Sequence, residues 1–401
     1  MHLMPPPFDR RALDAFVALA GARAWGARLA EIGRRAAAGP RVGQAIRQHH
    51  SVELSIERLR GPLVRPPSTA ERHAARLAGE TVALARQLGV QGRARLHECL
   101  HAALSGDGSL IPLFHLLRTA GLQRSRGFRV DFSGLDEGTP YDLLLTRGAA
   151  EAEVVCDVVS AEEGRLVHRG AWFRLADRVD PDLQTWLAAH PGRYLLKMTL
   201  PLGLRDGDQD RDALASLHDR IRRLLETRHR RDHDAAVVLR LDPLLLAGAQ
   251  ADDIGLLSHL RREFGPEAHL SVTTAGCGIF VMAARAGGEN AIAAAVRRRL
   301  LAIAPTRLSG SRPGILAMFV DGTDRGEWRG LRERLELEGE ARQFLTHRAA
   351  RPVIAVTCAS RFELFGVAAP DAVEDGELRF RNPAHPAART PALAPAVLSS
   401  V

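Results

Sequence analysis

Residues 128–159 read FRVDFSGLDEGTPYDLLLTRGAAEAEVVCDVV, and this stretch decides the fold class. The apolar residues recur about every 3.6 positions before it and every second position within it, which indicates a change from helix to strand. Turn-forming residues divide the stretch into three apolar runs. We therefore predict three short strands in quick succession, Phe128–Phe132, Tyr141–Thr146 and Ala152–Val159.

The chain on either side of this meander has two different patterns. The first 120 residues have a helical pattern, interrupted by GPLVRPPST at 61–69, where Ser68 or Thr69 could cap the next helix. After the meander, helical segments alternate with strand-like runs such as RYLLKMTL at 193–200 and GILAMFVDG at 314–322. The sequence predicts an α/β (α+β) protein, with an all-helical N-terminal region, a mixed-sheet core and a C-terminal α/β region.

This pattern divides the chain into four predicted regions. A basic helical region covers 1–108, the mixed-sheet core covers 109–245, and a C-terminal α/β region covers 246–381. The last segment, 382–401, is rich in Pro and Ala, and such a composition favours a disordered tail.

Charge and composition narrow the classes of partner. The net charge is +8, yet residues 1–130 contain 20 Arg against 9 acidic residues, or +11, so the basic excess is N-terminal. A polyanion such as DNA fits this distribution. No apolar run is long enough to cross a membrane, the N-terminus lacks a signal-peptide pattern, and the four cysteines are far apart. We expect a cytoplasmic protein without a membrane partner or a disulfide framework.

Three stretches together resemble a known superfamily. They are LIPLFHLLRTAGLQRSRGFRVDF, GTPYDLLL and AEVVCDVVSAEEGRLVHRGAW, all within 110–200. They resemble the PD-(D/E)xK, or restriction-endonuclease-like, nucleases, whose core is a helix, a strand meander, a helix and another strand. The resemblance implies an Asp on one strand and an acid-x-Lys motif on the next. In such a site carboxylates hold Mg²⁺ between phosphate oxygens and water, and the lysine assists the attacking water.

The candidate catalytic residues follow from this resemblance. Asp142 fits the first motif position, and Glu153 and Asp157 share one face of the next strand because side chains alternate. Asp142 and Glu153 are the candidate Mg²⁺ ligands. Two registers remain open: either Glu153 is the motif acid and Val155 replaces the lysine, or Val155 replaces the acid and Asp157 the lysine. The motif is incomplete in both.

A positive charge could reach the site from elsewhere. Lys197, the sole lysine of the chain, lies on the next predicted strand and is a candidate catalytic residue. Some superfamily members place the basic residue on the following helix. Arg165, His168 and Arg169 are predicted to lie about one turn apart at the start of such a helix. They are candidate contacts to a nucleic-acid backbone.

A competing motif precedes the meander. Residues 97–101 read HECLH, so His97 and His101 would lie on one helix face with Glu98 between them. This HExxH spacing suits Zn²⁺ and a zinc peptidase, although no third ligand follows at a typical spacing. The alternative without a metal is that His97 and His101 are partly buried helix residues. The sequence thus allows a DNA-binding, nuclease-like protein that hydrolyses phosphodiesters with Mg²⁺, an inactive relative that serves as a scaffold, or a zinc metallopeptidase.

Overall fold

A computed structural model describes residues 9–205, 211–227, 229–244, 260–261, 264–265 and 268–399. The chain forms two compact units: the first contains 1–34, 47–163 and 293–401, and the second contains 35–46 and 164–292. In sequence, most of the second unit is an insertion between two parts of the first. The class is α+β, with helices in the N-terminal part followed by sheets, as predicted.

Seven helices of the described chain precede the first strand, and the others lie between or after the strands in sequence. In chain order they are α1 (Arg10–Ala20), α2 (Ala22–Ala36), α3 (Pro40–His49), α4 (Ser51–Arg60), α5 (Thr69–Gln87), α6 (Val90–Ala103), α7 (Ile111–Ser125), α8 (Ser133–Asp136), α9 (Arg169–Ala189), α10 (Arg211–Thr227), α11 (Ile292–Arg307), α12 (Arg325–Glu333), α13 (Glu336–Leu345), α14 (Arg361–Leu364) and α15 (Ala394–Val397).

The strands of the described chain form two sheets. In chain order they are β1 (Arg129–Asp131), β2 (Leu143–Arg147), β3 (Ala150–Ser160), β4 (Arg193–Leu200), β5 (Arg231–His233), β6 (Val238–Pro243), β7 (His269–Ala275), β8 (Gly278–Ala286), β9 (Gly314–Asp321), β10 (Val353–Ser360) and β11 (Leu378–Arg381). β1, β2 and β3 correspond to the three predicted strands, each with ends shifted by one or two residues.

Local sequence explains where several helices begin and end. The helical pattern before residue 61 is divided into four helices; one break is at Gly21, whose φ of 89° suits glycine. Ser68 caps α5, as predicted: its hydroxyl accepts the N–H of Glu71 at 3.2 Å, and the Glu71 carboxylate accepts the N–H of Ser68 at 2.7 Å. This reciprocal pair is a capping box.

The sheet of the first unit has the order β1-β2-β3-β9-β10-β11. β1, β2 and β3 form an antiparallel meander, β9 runs parallel to β3, and β10 runs parallel to β9. All residues of β9 and β10 are buried, which explains their continuous apolar sequences. Helix α7 packs against this sheet through Phe114, and the Nε2 of its His115 lies 2.9 Å from the carbonyl oxygen of Ala317.

This sheet combines strands from two regions that the sequence analysis predicts to be separate. The predicted core, 109–245, and the predicted C-terminal region, 246–381, each contribute to both units, because β3 pairs with β9. Parallel strands require a crossover connection, and here the crossover includes all of 164–292. Residues 246–259, at the start of the predicted C-terminal region, lie outside the described residues.

The second unit has its own sheet and core. Its strand order is β5-β6-β4-β8-β7, and α9 packs on β7 and β8 through Trp172 and Leu175. The short segment 35–46 belongs to this unit because Arg41 donates to Asp177 at 3.2 Å and to Asp180 at 2.8 Å.

The C-terminal segment is ordered where the structure describes it. The prediction of a disordered tail over 382–401 is wrong for 382–399, which contain a 3-10 helix at Pro386–Arg389 and α15. Leu393, Ala396 and Val397 are buried in the apolar core of the first unit. Apolar burial thus outweighs the composition of this segment. Within the described ranges, no helix has the length and apolar character needed to span a membrane.

Candidate functional site

The candidate site is one face of β3. Successive side chains alternate, so Ala152 and Val154 enter the core while Glu153 and Asp157 project from the opposite face. Asp142 immediately precedes β2, and its N–H donates to the carbonyl of Val154 at 2.9 Å. Because Leu143 pairs with Val154, the next step of the register places Asp142 opposite Val155. The structure therefore brings Asp142, Glu153 and Asp157 to one face of the sheet.

Asp142 is held by an arginine from α11. Nη2 of Arg307 donates to both Asp142 carboxylate oxygens, at 2.8 and 2.9 Å, and the backbone N–H of Cys156 donates to Oδ2 at 2.7 Å. Burial raises the pKa of Asp142, and the nearby Asp157 raises it further, whereas Arg307 and the Cys156 N–H act in the opposite direction. Arg307 also donates to the carbonyl of Pro140 at 2.6 Å. The guanidinium is thus fixed both to the carboxylate and to the backbone segment just before β2.

Asp157 is held by a second arginine of the same helix. Nε and Nη2 of Arg299 donate to its two carboxylate oxygens, at 2.6 and 3.1 Å. This bidentate geometry is the strong form of the arginine–carboxylate pair, and it raises the pKa of Arg299. Arg299 and Arg307 are eight residues apart, about two helical turns, so they share one face of α11.

Glu153 is bound by the loop that follows α11. Its side chain has no exposed surface, and it accepts the backbone N–H of Ser309 at 2.9 Å and the Ser309 hydroxyl at 2.5 Å. Arg312 of the same loop lies 3.8 Å from Glu153 and donates to Glu151 at 2.7 Å. We call the four partners Arg299, Arg307, Ser309 and Arg312 the α11 clasp.

The clasp decides whether these carboxylates fit Mg²⁺. Mg²⁺ requires several oxygen ligands arranged around one point, usually with water. Both oxygens of Asp142 are already bonded to Arg307, those of Asp157 to Arg299, and Glu153 is inaccessible. Among the residues that the structure describes, no three or more His, Cys, Asp or Glu side chains are grouped to hold a metal. The residues present do not fit Mg²⁺.

The strand register also shows which residues lie beside Asp142. Val155, which is fully buried, stands opposite Asp142, and Asp157 lies two residues further along the same face of β3. An acid at that position repels Asp142 and requires a cation nearby, and Arg299 is that cation.

The other candidate residues belong to the second unit. Lys197 lies on β4, where its ammonium is 3.9 Å from Asp242 and 5.3 Å from the ring centre of Phe264. The prediction of a helix carrying Arg165, His168 and Arg169 one turn apart is wrong, because α9 begins at Arg169. Before it, Val167 forms a strand-like bridge with Leu204, and the Arg165 side chain is buried.

The HExxH segment lies on α6, as its spacing predicts. His97, Glu98 and His101 are all exposed, so the expectation that the histidines are partly buried is wrong. They belong to no group of three or more potential metal ligands in the described chain. His97, Glu98 and His101 thus lie on a solvent-exposed part of α6.

Sequence reasoning missed the α11 clasp. Its residues lie more than 140 positions from the acids that they bind, beyond the whole inserted unit. Nothing in their local pattern distinguishes the three arginines from the others of an arginine-rich chain. The one available signal was an imbalance: a strand face with several acids requires cations from another element.

Comparisons of the chain with protein-family models, curated proteins and solved structures gave no match.

Proposed function

We propose that this protein binds DNA through its basic N-terminal helices and has a nuclease-like core that does not cleave it. The observation that carries the proposal is the pairing of Asp142 with Arg307 and of Asp157 with Arg299. In a metal-dependent nuclease these positions need free carboxylate oxygens. Here guanidinium groups occupy those oxygens.

The order of elements supports the nuclease-like part of the proposal. Helix α7, the meander β1-β2-β3, helix α11 and the parallel strand β9 follow each other in the first unit. The resembling superfamily has the same order of helix, meander, helix and strand, and Asp142 lies before the second strand of the meander. The inserted residues 164–292 separate β3 from α11 in sequence only.

Charge supports the DNA-binding part. Several exposed arginines of the N-terminal helices make no ion pair with any described residue. They are Arg11, Arg23, Arg34, Arg47, Arg86 and Arg93. A solvated guanidinium without a carboxylate partner keeps its full charge for a phosphate backbone.

A paired cleavage and binding experiment tests the proposal. Supercoiled plasmid incubated with the protein and Mg²⁺ or Mn²⁺ should stay intact, and the Asp142→Ala variant should give the same background. The same preparations should retard a DNA duplex, with an affinity that falls steeply with salt. Nicking by wild type that Asp142→Ala abolishes would contradict the proposal, and so would the absence of salt-dependent binding.

Two matched triple variants locate the binding surface. Arg23→Gln/Arg86→Gln/Arg93→Gln removes three unpaired charges and should lower the salt slope of binding by about 2 to 3. The control removes three exposed arginines that are already paired with acids in the C-terminal part, Arg325, Arg334 and Arg342. Equal losses in both variants would show that net charge alone governs binding.

A further inference from the structure

A groove between α5 and α7 has a charge pattern opposite to that of the β3 face. Its volume is about 510 Å³, and its walls carry three arginines, Arg76, Arg118 and Arg124, against one acid, Glu80. Arg76 is paired with Glu80. The groove thus retains two guanidinium groups without an acid of its own.

Arg118 is the unusual member of this set. Its side chain is 9% exposed, yet it forms no ion pair with any residue in the described ranges. One terminal nitrogen donates to the carbonyl of Gly376, and the other, Nη1, has no hydrogen-bond partner there. Burial lowers the pKa of Arg118, and the positive charges of Arg126 and Arg76 lower it further. A buried cation with an unused donor is stabilised by an anion.

The two acids whose charges raise the pKa of Arg118, Glu377 and Glu363, are already engaged. Glu377 accepts Arg126 at 2.5 Å. Glu363 caps α14, where it accepts the N–H of Ser360 at 2.7 Å, and it also accepts the indole N–H of Trp328 at 3.0 Å. Neither acid makes a direct bond to Arg118, although both act on it at longer range.

The third arginine and a glycine complete the groove. Arg124 lies over the ring of Phe132, 5.3 Å from its centre, so part of its guanidinium is held without a carboxylate. Gly121, on α7, presents no side chain, and a Cβ built there would meet no atom within 4 Å. The wall is therefore open beside two cations.

We propose that this groove binds a phosphate group, with Arg118 and Arg124 as its main cationic contacts. Arginine matches phosphate because its donors are planar and its charge persists at neutral pH. The group could belong to a mononucleotide or to the backbone of a DNA strand, which carry the same chemistry. The inference does not depend on the proposed DNA-binding function, because inorganic phosphate is a sufficient probe.

A pair of glycine-to-glutamate variants tests the site. Gly121→Glu places a carboxylate beside the groove arginines, in space that is open. Gly339→Glu, on α13, makes the same change at another helical glycine with an open Cβ position that does not line the groove. Both replace a poor helix former, so both variants should fold.

The measurement is the melting temperature as inorganic phosphate increases, with ionic strength held constant by NaCl. Phosphate should stabilise wild type and Gly339→Glu alike, and Gly121→Glu should need at least about tenfold more phosphate for half the effect. No stabilisation of wild type beyond that of NaCl would overturn the proposal, as would equal responses of the two variants.

Competition then identifies the source of the phosphate. Displacement of inorganic phosphate by a mononucleotide but not by its nucleoside supports a phosphate monoester. Displacement only by a DNA oligonucleotide without terminal phosphates supports the backbone. If DNA binds and Gly121→Glu leaves its affinity unchanged while phosphate binding is lost, the groove is a separate small-anion site. Loss of DNA binding with intact phosphate binding would contradict the proposed function alone.

Discussion

The β3 face and the groove between α5 and α7 both contain enclosed charged side chains. Those of the β3 face are paired with opposite charges, whereas Arg118 in the groove has no acid partner among the described residues. At the β3 face the acids Asp142 and Asp157 each have an arginine of the α11 clasp. In the groove, Arg118 is more enclosed than Asp142, with 9% of its surface exposed against 23%, but it has only a carbonyl partner. Burial alone therefore does not separate structural charges from available ones. The separating observation is whether the counter-charge is already present in the fold.

Removal of Arg307 should have the largest effect. Arg307→Met leaves Asp142 charged, largely enclosed and without its ion pair, and we expect a loss of about 2–3 kcal/mol in the free energy of unfolding. That is below the value for a fully buried pair because both side chains keep some contact with water. Urea denaturation at pH 7 measures it.

The pH dependence of that loss provides a control. Without Arg307 the pKa of Asp142 should rise further above its ordinary value, so the folded state binds a proton more tightly than the unfolded state. Protonation then stabilises the variant relative to wild type, and the difference between them should narrow as the pH falls toward 4. A difference in unfolding free energy below about 0.5 kcal/mol between wild type and Arg307→Met at pH 7 would show that Arg307 does not stabilise the charged Asp142.

Glu71 is another acid with cationic partners, and its effect should be the next largest. Hydrogen bonds from Arg58, Ser68 and Arg65 overcome the effect of burial and lower its pKa to about 2. Its contribution to stability is therefore complete above the unfolded pKa of about 4.5 and is lost as the pH falls from there to about 2. We expect about 2 kcal/mol over this range.

Denaturation of wild type and Glu71→Gln across that pH range checks the value. The variant should be less stable near neutral pH and show a flatter decline on acidification. Parallel curves for the two proteins would show that other acids account for the decline.

Replacement of Arg118, which has no acid partner among the described residues, should change the free energy of unfolding less than replacement of Arg307, which is paired with Asp142. Arg118→Met removes a buried charge that has no acid partner in the described chain, so the loss of one hydrogen bond to Gly376 is offset by relief of the desolvation cost. We expect a change in unfolding free energy within about 1 kcal/mol. A loss as large as that of Arg307→Met would break the comparison between the two regions.

The smallest effect is expected on α6. His97→Ala and His101→Ala alter exposed side chains and should change the unfolding free energy by less than about 0.5 kcal/mol. Metal analysis of the purified protein should find no stoichiometric zinc that depends on either histidine. Zinc that disappears in His97→Ala would revive the peptidase hypothesis.

Local patterns predicted the local structure well. Alternation predicted β1, β2 and β3 and the face shared by Glu153 and Asp157, and the Ser68 cap follows from residue chemistry. The pairing of β3 with β9 could not be predicted, because it joins residues about 160 positions apart across an inserted unit.

The cations that bind the acids of the site could not be predicted for the same reason, because they are distant in sequence. The acids of the candidate site could be selected from strand alternation, but the identity of their cations depended on which helix covers the strand. Sequence order favours Arg165 and Lys197 because they follow β3 directly, whereas the fold brings Arg299 to Asp157 and Arg307 to Asp142 from beyond the insertion. The Pro- and Ala-rich composition likewise predicted a disordered C-terminal segment. Composition does not show which residues pack in the apolar core, and Val397 is one of them.

We expect Asp142 to act as a structural carboxylate and not as a metal ligand. This role can be tested by titrating Mn²⁺ into wild type and Asp142→Asn and following the electron paramagnetic resonance signal of free Mn²⁺. Both proteins should bind Mn²⁺ equally weakly, without a stoichiometric site. A single site in wild type that Asp142→Asn abolishes would contradict it.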